Sequence, residues 1–411
     1  MQISRRQFVH GVAASSSVMA LNGTAPSFLV DAAERLDACE RVLVIIQLSG
    51  GNDGLNTIIP YRDESYYSAR PTLAIPREEV VPINDELGFH PALRPLADLL
   101  ENAELAVVQG VGYPRPNRSH FESMDIWHTC QRRGARRDTG WLGRFLEAAP
   151  TDRLGGDAAA VHLGAKKQPL ALAARNIQVP SIRSLERFRL NDGGDQRLRE
   201  VIDELTATAR GRQDNLLGFI QGSTAAALAA SRRVEDVGQR YKPAVPYPDN
   251  QLAQRLRTAA QLIDAGLETR IYYTEIDGFD THSQQAAAHA ALLRQLGSAM
   301  SAFIEDVKQH GHGDRVLVFS FSEFGRRVKE NASEGTDHGA ALPLLLAGSP
   351  VKAGLIGNQP SLTELEDGDL RFHTDFRQVY AAILEDWLGC PSQEVLGAAY
   401  SPVDVIAERP V

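Results

Sequence analysis

The chain has 411 residues and a formal net charge of −9, with 52 acidic against 43 basic residues, a balance that disfavours nucleic acid as a partner. Cys39, Cys130 and Cys390 form an odd set without CxxC spacing, so neither a disulfide framework nor a thiolate metal site is indicated. An apolar content of 43% over this length permits one large α/β domain or a domain carrying a sizeable insertion.

At the N-terminus, Ser4-Arg5-Arg6-Gln7-Phe8-Val9 places paired arginines before a moderately apolar run that ends at Leu21. This order of features is that of a twin-arginine signal. The run includes His10, Gly11 and three consecutive serines, and falls short of the roughly twenty apolar residues that span a bilayer. Residues 1–33 are therefore expected to be a signal peptide recognised by the twin-arginine translocase, cut near Ala20 or at Ala32–Ala33. The remainder, 34–411, is expected in the periplasm or outside the cell, with no permanent transmembrane segment. Leu36-Asp37-Ala38-Cys39 follows two acids beyond the apolar run and is not read as a lipidation site.

Further along, residues 42–48 (VLVIIQL) form a continuous β-rich apolar run that stops at a glycine-rich turn, the pattern of a buried strand. Residues 105–110, 270–276, 315–321 and 342–347 read the same way. Helical spacing of apolar residues is found at 91–104, 250–266, 284–310 and 375–388. Strands alternating with helices predict a mostly parallel sheet covered on both faces. Residues 176–250, rich in Arg, Asp, Gln and Glu with a proline-punctuated exit, break this rhythm and read as an inserted helical cap.

Four polar clusters follow predicted strands, at the strand ends where α/β sheets collect ligand groups. The first, SGGNDGLNT at 49–57, offers Asp53 and Asn52 as hard oxygen ligands; it lacks GxGxxG, which argues against a dinucleotide site. In the second, Ser119 stands near a helix N-cap after a proline-stiffened loop, where N–H groups hold an anion and Arg118 adds a charge-assisted contact. His120 is read there as a base, a metal ligand or a structural helix-start residue. The third, Asp277 to His282, presents the Asp280 carboxylate and the His282 imidazole to one divalent cation. The fourth sets Glu323 beside the Arg326 guanidinium, and Asp337 and His338 follow after a loop. Together they predict a metal site.

The fragments GGNDGLNT, NRSHFESMDIWHT, GFDTH, SEFGR and TDHG, in this order, resemble the family of proteins of unknown function numbered 1501, which are exported by the twin-arginine route and grouped with the alkaline phosphatases and sulfatases. The resemblance implies an alkaline-phosphatase-like three-layer sandwich and a divalent metal, zinc first, with magnesium, manganese or calcium as alternatives. It also implies an anionic ester as substrate. Carried over by residue, Asp53 matches the first metal aspartate, Asp280 and His282 the central pair, Glu323 the place of a metal aspartate, and His338 a late metal histidine. Asp337 adds a carboxylate, Ser119 takes the place of the nucleophile ahead of Thr57 and Ser123, and Arg118 or Arg326 would clamp the non-reacting oxygens.

Two departures qualify that picture. Phe324 stands where the second histidine of a two-zinc phosphatase would be, and no Cys-x-Pro-x-Arg is present, so a formylglycine sulfatase is not supported. The alternative function is a non-catalytic periplasmic binding or assembly protein. On export, replacing Arg5 and Arg6 together by lysine keeps the charge but removes the receptor-read pair; cell fractionation should find the precursor trapped in the cytoplasm. Normal periplasmic yield from that variant would contradict the assignment.

Overall fold

The computed structural model describes residues 41–132, 134–135, 137–149, 157–182 and 241–407. The expected signal peptide and the interior of the expected cap, 183–240, lie outside the described residues. All five predicted strands form: β1 (Val42–Ser49), β2 (Leu105–Gly112), β5 (Ile271–Asp277), β6 (Val316–Ser322) and β9 (Leu342–Ala347). With β3 (Ala160–Leu163), β4 (Ser181–Ile182), β10 (Gly354–Ile356) and β11 (Thr374–Asp375) they make a nine-stranded sheet in the order β10-β2-β9-β6-β1-β5-β3-β4, β11 pairing with β2. Two further strands, β7 (Arg326–Glu330) and β8 (Thr336–His338), form a separate antiparallel hairpin between β6 and β9. In the main sheet only β9 runs against its neighbours β2 and β6; the other pairings are parallel.

The all-apolar reading of β1 follows from burial on both faces. Val42, Val44, Ile46 and Leu48 belong to a core shared with α2 (Arg94–Glu101), α5 (Gln251–Asp264) and α6 (Gln285–Gln309). Leu43 and Ile45 point the other way, into a core shared with α3 (His120–Thr129), α4 (Trp141–Ala148) and α7 (Phe376–Ala382). On that second face Trp127 stacks on Phe376 at 4.4 Å and on Phe321 at 5.5 Å, and Trp141 stacks on Tyr380 at 4.3 Å. The result is a helix–sheet–helix sandwich, the fold class expected from the strand and helix rhythm. A short helix, α1 (Glu64–Ala69), lies between β1 and α2.

Helix boundaries follow local chemistry. Asn250 caps α5 by accepting from the Ala253 N–H at 2.9 Å, and Asp375 with Gln378 makes a reciprocal capping box on α7. The helical pattern at 91–104 is shorter than predicted: a 3₁₀ turn, Pro91–Leu93, precedes α2, and Ala103 then takes a left-handed φ of 59° as the chain turns into β2. No helix among the described residues is long and apolar enough to cross a membrane.

Parallel register sets up the site. Leu48 of β1 pairs with Ser322 of β6, and Ser49 pairs with Asp277 of β5, so these three strands end level with one another. Glycine-rich turn 50–54, loop 278–284 and Glu323 therefore leave the sheet at one edge. The β7–β8 hairpin joins them there, because Arg326 of β7 pairs with His338 of β8 immediately before the chain enters β9.

Candidate metal site

The turn after β1 has to pass very close to the loop after β5. Gly50 adopts φ +119°, and a Cβ there would lie 2.3 Å from the Asp280 backbone nitrogen; only glycine fits. Its N–H donates to Glu323 Oε1 at 2.9 Å. Asp280 is thereby brought beside the first turn of α3 and beside the hairpin. The Asp280 carboxylate receives Arg326 Nη2 at 2.8 Å and lies 3.1 Å from both His282 Nε2 and His338 Nε2, with His120 Nε2 at 3.4 Å. Donor atoms of His120, Asp280 and His338 all fall within 4.8 Å of one another, and His282 Nε2 is 2.9 Å from His338 Nε2.

The far side of each imidazole decides its state. His338 Nδ1 lies 2.8 Å from the Arg118 carbonyl oxygen, an acceptor only, so Nδ1 carries the proton. His282 Nδ1 faces the Asp337 carboxylate at 3.4 Å, and His120 Nδ1 faces Glu323 Oε1 at 2.9 Å. When these rings are neutral, three Nε2 lone pairs converge on an anionic carboxylate. Two lone pairs 2.9 Å apart repel unless a proton or a cation lies between them. Donors on a tetrahedral zinc, with bonds near 2.0–2.1 Å, stand about 3.3 Å apart; the three imidazole contacts to Asp280, at 3.1, 3.1 and 3.4 Å, lie near that spacing, and the His282–His338 contact is shorter. Imidazoles backed by carboxylates and a carbonyl are the usual outer support of metal ligands.

Charge states agree with this geometry. Burial alone would raise Asp280, but the hydrogen bond and the charge of Arg326, with the His338 ring against it, outweigh burial and hold the carboxyl at about 2. The side chain is therefore ionised at neutral pH. His338 is lowered from the ordinary histidine range by partial burial, against the pull of Asp280. His120 is raised, chiefly by its hydrogen bond to Glu323, which makes its Nε2 the more basic donor. Asp337 is lowered by its hydrogen bonds to Asn331 and His282.

Placement of the sequence-derived residues is uneven. Asp280, His282 and His338 come together as donors, while Glu323 and Asp337 stand behind His120 and His282 and orient them. Asp53 goes elsewhere. It is fully buried, with Arg70 Nη1 on Oδ2 at 2.5 Å and Arg70 Nη2 on Oδ1 at 2.9 Å, and this pairing outweighs burial to keep its carboxyl lowered. Arg326, expected to grip substrate oxygens, is fully buried. Its donors end on the carbonyls of Gly50, Gly51 (2.8 Å), Phe279 (2.9 Å) and Thr336 (2.7 Å) as well as on Asp280. Arg118 is partly exposed and spends its guanidinium on Asp369 at 2.5 and 2.9 Å.

Among the hydroxyls, Ser119 is the N-cap of α3, exposed, with no side-chain capping bond. Thr57 and Ser123 are buried and bonded to the Asp53 and Glu323 carbonyls at 2.7 and 2.6 Å. His120 is the donor that the sequence left undecided; the signal available was its position directly after Ser119 at the start of an arginine-bearing loop's helix.

Three imidazoles and a carboxylate gathered at the C-terminal edge of an α/β sheet define a candidate metal-binding protein of the sandwich class. The chain belongs to the family described as Protein of unknown function (DUF1501), whose model matches residues 40–386. Among solved structures it is similar to the PsFucS1 sulfatase from Pseudoalteromonas sp., at 11% identity over 91% of this chain and 76% of that one, with a TM-score of 0.40. It is also similar to the lipoteichoic acid synthase LtaP from Listeria monocytogenes, at 9% identity, 87% and 76% coverage and a TM-score of 0.39. A protein in the alkaline phosphatase superfamily from Vibrio parahaemolyticus matches at 10% identity, 78% and 62% coverage and a TM-score of 0.33. No curated protein matches the chain.

The burial of Arg326 yields a direct check. Arg326→Ala leaves main-chain carbonyls and the Asp280 charge without their partner, so chemical denaturation should report a loss of about 3–5 kcal/mol. A solvent-facing substrate clamp would change stability by no more than about 0.5 kcal/mol.

Proposed function

We propose that the protein is an exported, metal-dependent hydrolase of anionic phosphate or sulfate esters, with the cation held by His120, Asp280, His282 and His338 and with Ser119 as the nucleophile. The observation that carries this is the common orientation of the three rings: each turns Nδ1 to an outer acceptor and Nε2 to the Asp280 carboxylate. A donor set dominated by imidazole suits zinc better than magnesium, manganese or calcium, which favour oxygen. When bound, the cation supplies Lewis acidity that lowers the pKa of a neighbouring hydroxyl and stabilises charge on the transferred group.

The chain's own residues do the remaining work. Glu323, Asp337 and the Arg118 carbonyl hold the three rings in place. Ser119 keeps its hydroxyl uncommitted one residue before His120, at the positive end of the ten-residue helix α3, where first-turn N–H groups favour an anion. Of the two arginines, Arg326 is committed to the scaffold, and Arg118 would steady the ester's outer oxygens at the expense of its pairing with Asp369. Residues 1–33, with Arg5 and Arg6, support delivery to the periplasm by the twin-arginine translocase.

One observation favours a second reading. Buried Phe324 packs 5.0 Å from the His120 ring and 4.6 Å from the His338 ring, at the chain position where the resemblance places the second histidine of a two-zinc phosphatase. An exported binding or assembly protein that keeps one metal without turnover would have this arrangement. The zinc-loaded parent should hydrolyse a member of a panel of phosphate and sulfate esters. Ser119→Ala should abolish that turnover, retain the zinc and lose less than about 0.5 kcal/mol, since no capping bond is removed. Retained turnover in that variant would refute the nucleophile, and an inactive zinc-loaded parent would favour the binding protein.

A further inference from the structure

Behind the ligands lies a buried amide that the proposed chemistry does not use. Gln285 opens α6 with its side chain fully enclosed. Its Oε1 accepts from Thr281 Oγ1 at 3.0 Å and from Thr336 Oγ1 at 2.6 Å. Thr281 stands between Asp280 and His282, and Thr336 is two residues before His338. One carbonyl oxygen therefore spans both loops that carry the ligands.

The orientation of that amide is set from its other end. Gln285 Nε2 donates to Asp53 Oδ2 at 2.5 Å, and a carboxylate accepts only, so the NH₂ must face Asp53 and the oxygen must face the threonines. Asp53 is in turn fixed by its two bonds to Arg70, whose Nε and Nη2 also donate to the Val328 and Arg327 carbonyls of β7 at 2.9 and 3.0 Å. Main-chain bonds reinforce the joint: the Gln285 N–H donates to the Glu334 carbonyl at 2.8 Å and the Thr336 N–H to the Thr281 carbonyl at 3.2 Å.

We infer that Gln285 is a positioning residue of the metal site, setting the separation between the Asp280–His282 loop and His338, and that Asp53 and Arg70 act on the site through it. This rests on the metal site proposed above. Metal–ligand distances are tolerant only to about 0.2 Å, so a hydrogen bond that fixes the gap between two ligand-bearing loops is felt in affinity. Asp53 thus contributes at a distance, as the anchor of an amide, with no oxygen of its own among the donors.

The test measures zinc affinity by chelator competition and the visible spectrum of the cobalt-substituted protein, in the full chain. Gln285→Leu removes the amide at similar volume, and Thr281→Val with Thr336→Val removes the two hydroxyls while keeping their shape. Both should weaken zinc binding by about 10- to 100-fold and shift the cobalt bands, with the metal-free proteins still unfolding cooperatively. Should Gln285→Leu fail to fold, the double valine variant decides. Parent-like affinity and spectra in the folded variants would overturn the inference. A parent protein that binds no zinc would overturn the metal reading itself, and this inference with it.

Discussion

Arg326 carries a permanent charge in a place without solvent, so each of its N–H groups has to end on an acceptor. Those acceptors come from the turn after β1, the loop after β5 and the β8 strand of the hairpin. The guanidinium therefore draws together three segments that are far apart in sequence, and the one counter-charge among its partners is Asp280. A single buried cation fixes where the site stands and keeps its carboxylate ionised. The glycine at position 50 permits the close approach that this requires, since any Cβ would meet the Asp280 backbone.

Around Asp280 the structure arranges charge in two shells of opposite logic. Facing inward are lone pairs and one anion; facing outward are the N–H groups of three rings, each spent on an oxygen. Such an arrangement is costly by itself, because like lone pairs approach to 2.9 Å, a cost that the proposed cation would remove. The remaining support is neutral or paired: Gln285 bridges the ligand loops, and the Asp53–Arg70 pair holds Gln285. Each layer rests on the one beneath it, from ion pair to amide to loops to ligands.

Much of the scaffold was legible in the sequence because parallel strands buried on both faces leave continuous apolar runs, and all five such runs became strands. The short strands β3, β4, β10 and β11 left no run long enough to read. The meeting of Asp280, His282 and His338 was expected from polar clusters that follow predicted strands, and the fold brings these three side chains together. His120 was not legible, since its partner Glu323 lies 203 residues away. Asp53 was read as a ligand from its carboxylate in a glycine-rich turn after a strand and from the family resemblance; only the fold reveals Arg70 against it. Arg326 misled for a related reason, as its acceptors are mostly main-chain carbonyls, which no residue pattern announces.

In the proposed site, His120, Asp280, His282 and His338 hold one cation. Anomalous scattering at the zinc edge, from crystals of protein loaded with one equivalent of zinc, tests it most directly. A single strong peak is expected about 2.0–2.2 Å from the three Nε2 atoms and an Asp280 oxygen. A peak elsewhere, or none with the Nε2 atoms still hydrogen-bonded to Asp280, would contradict this assignment.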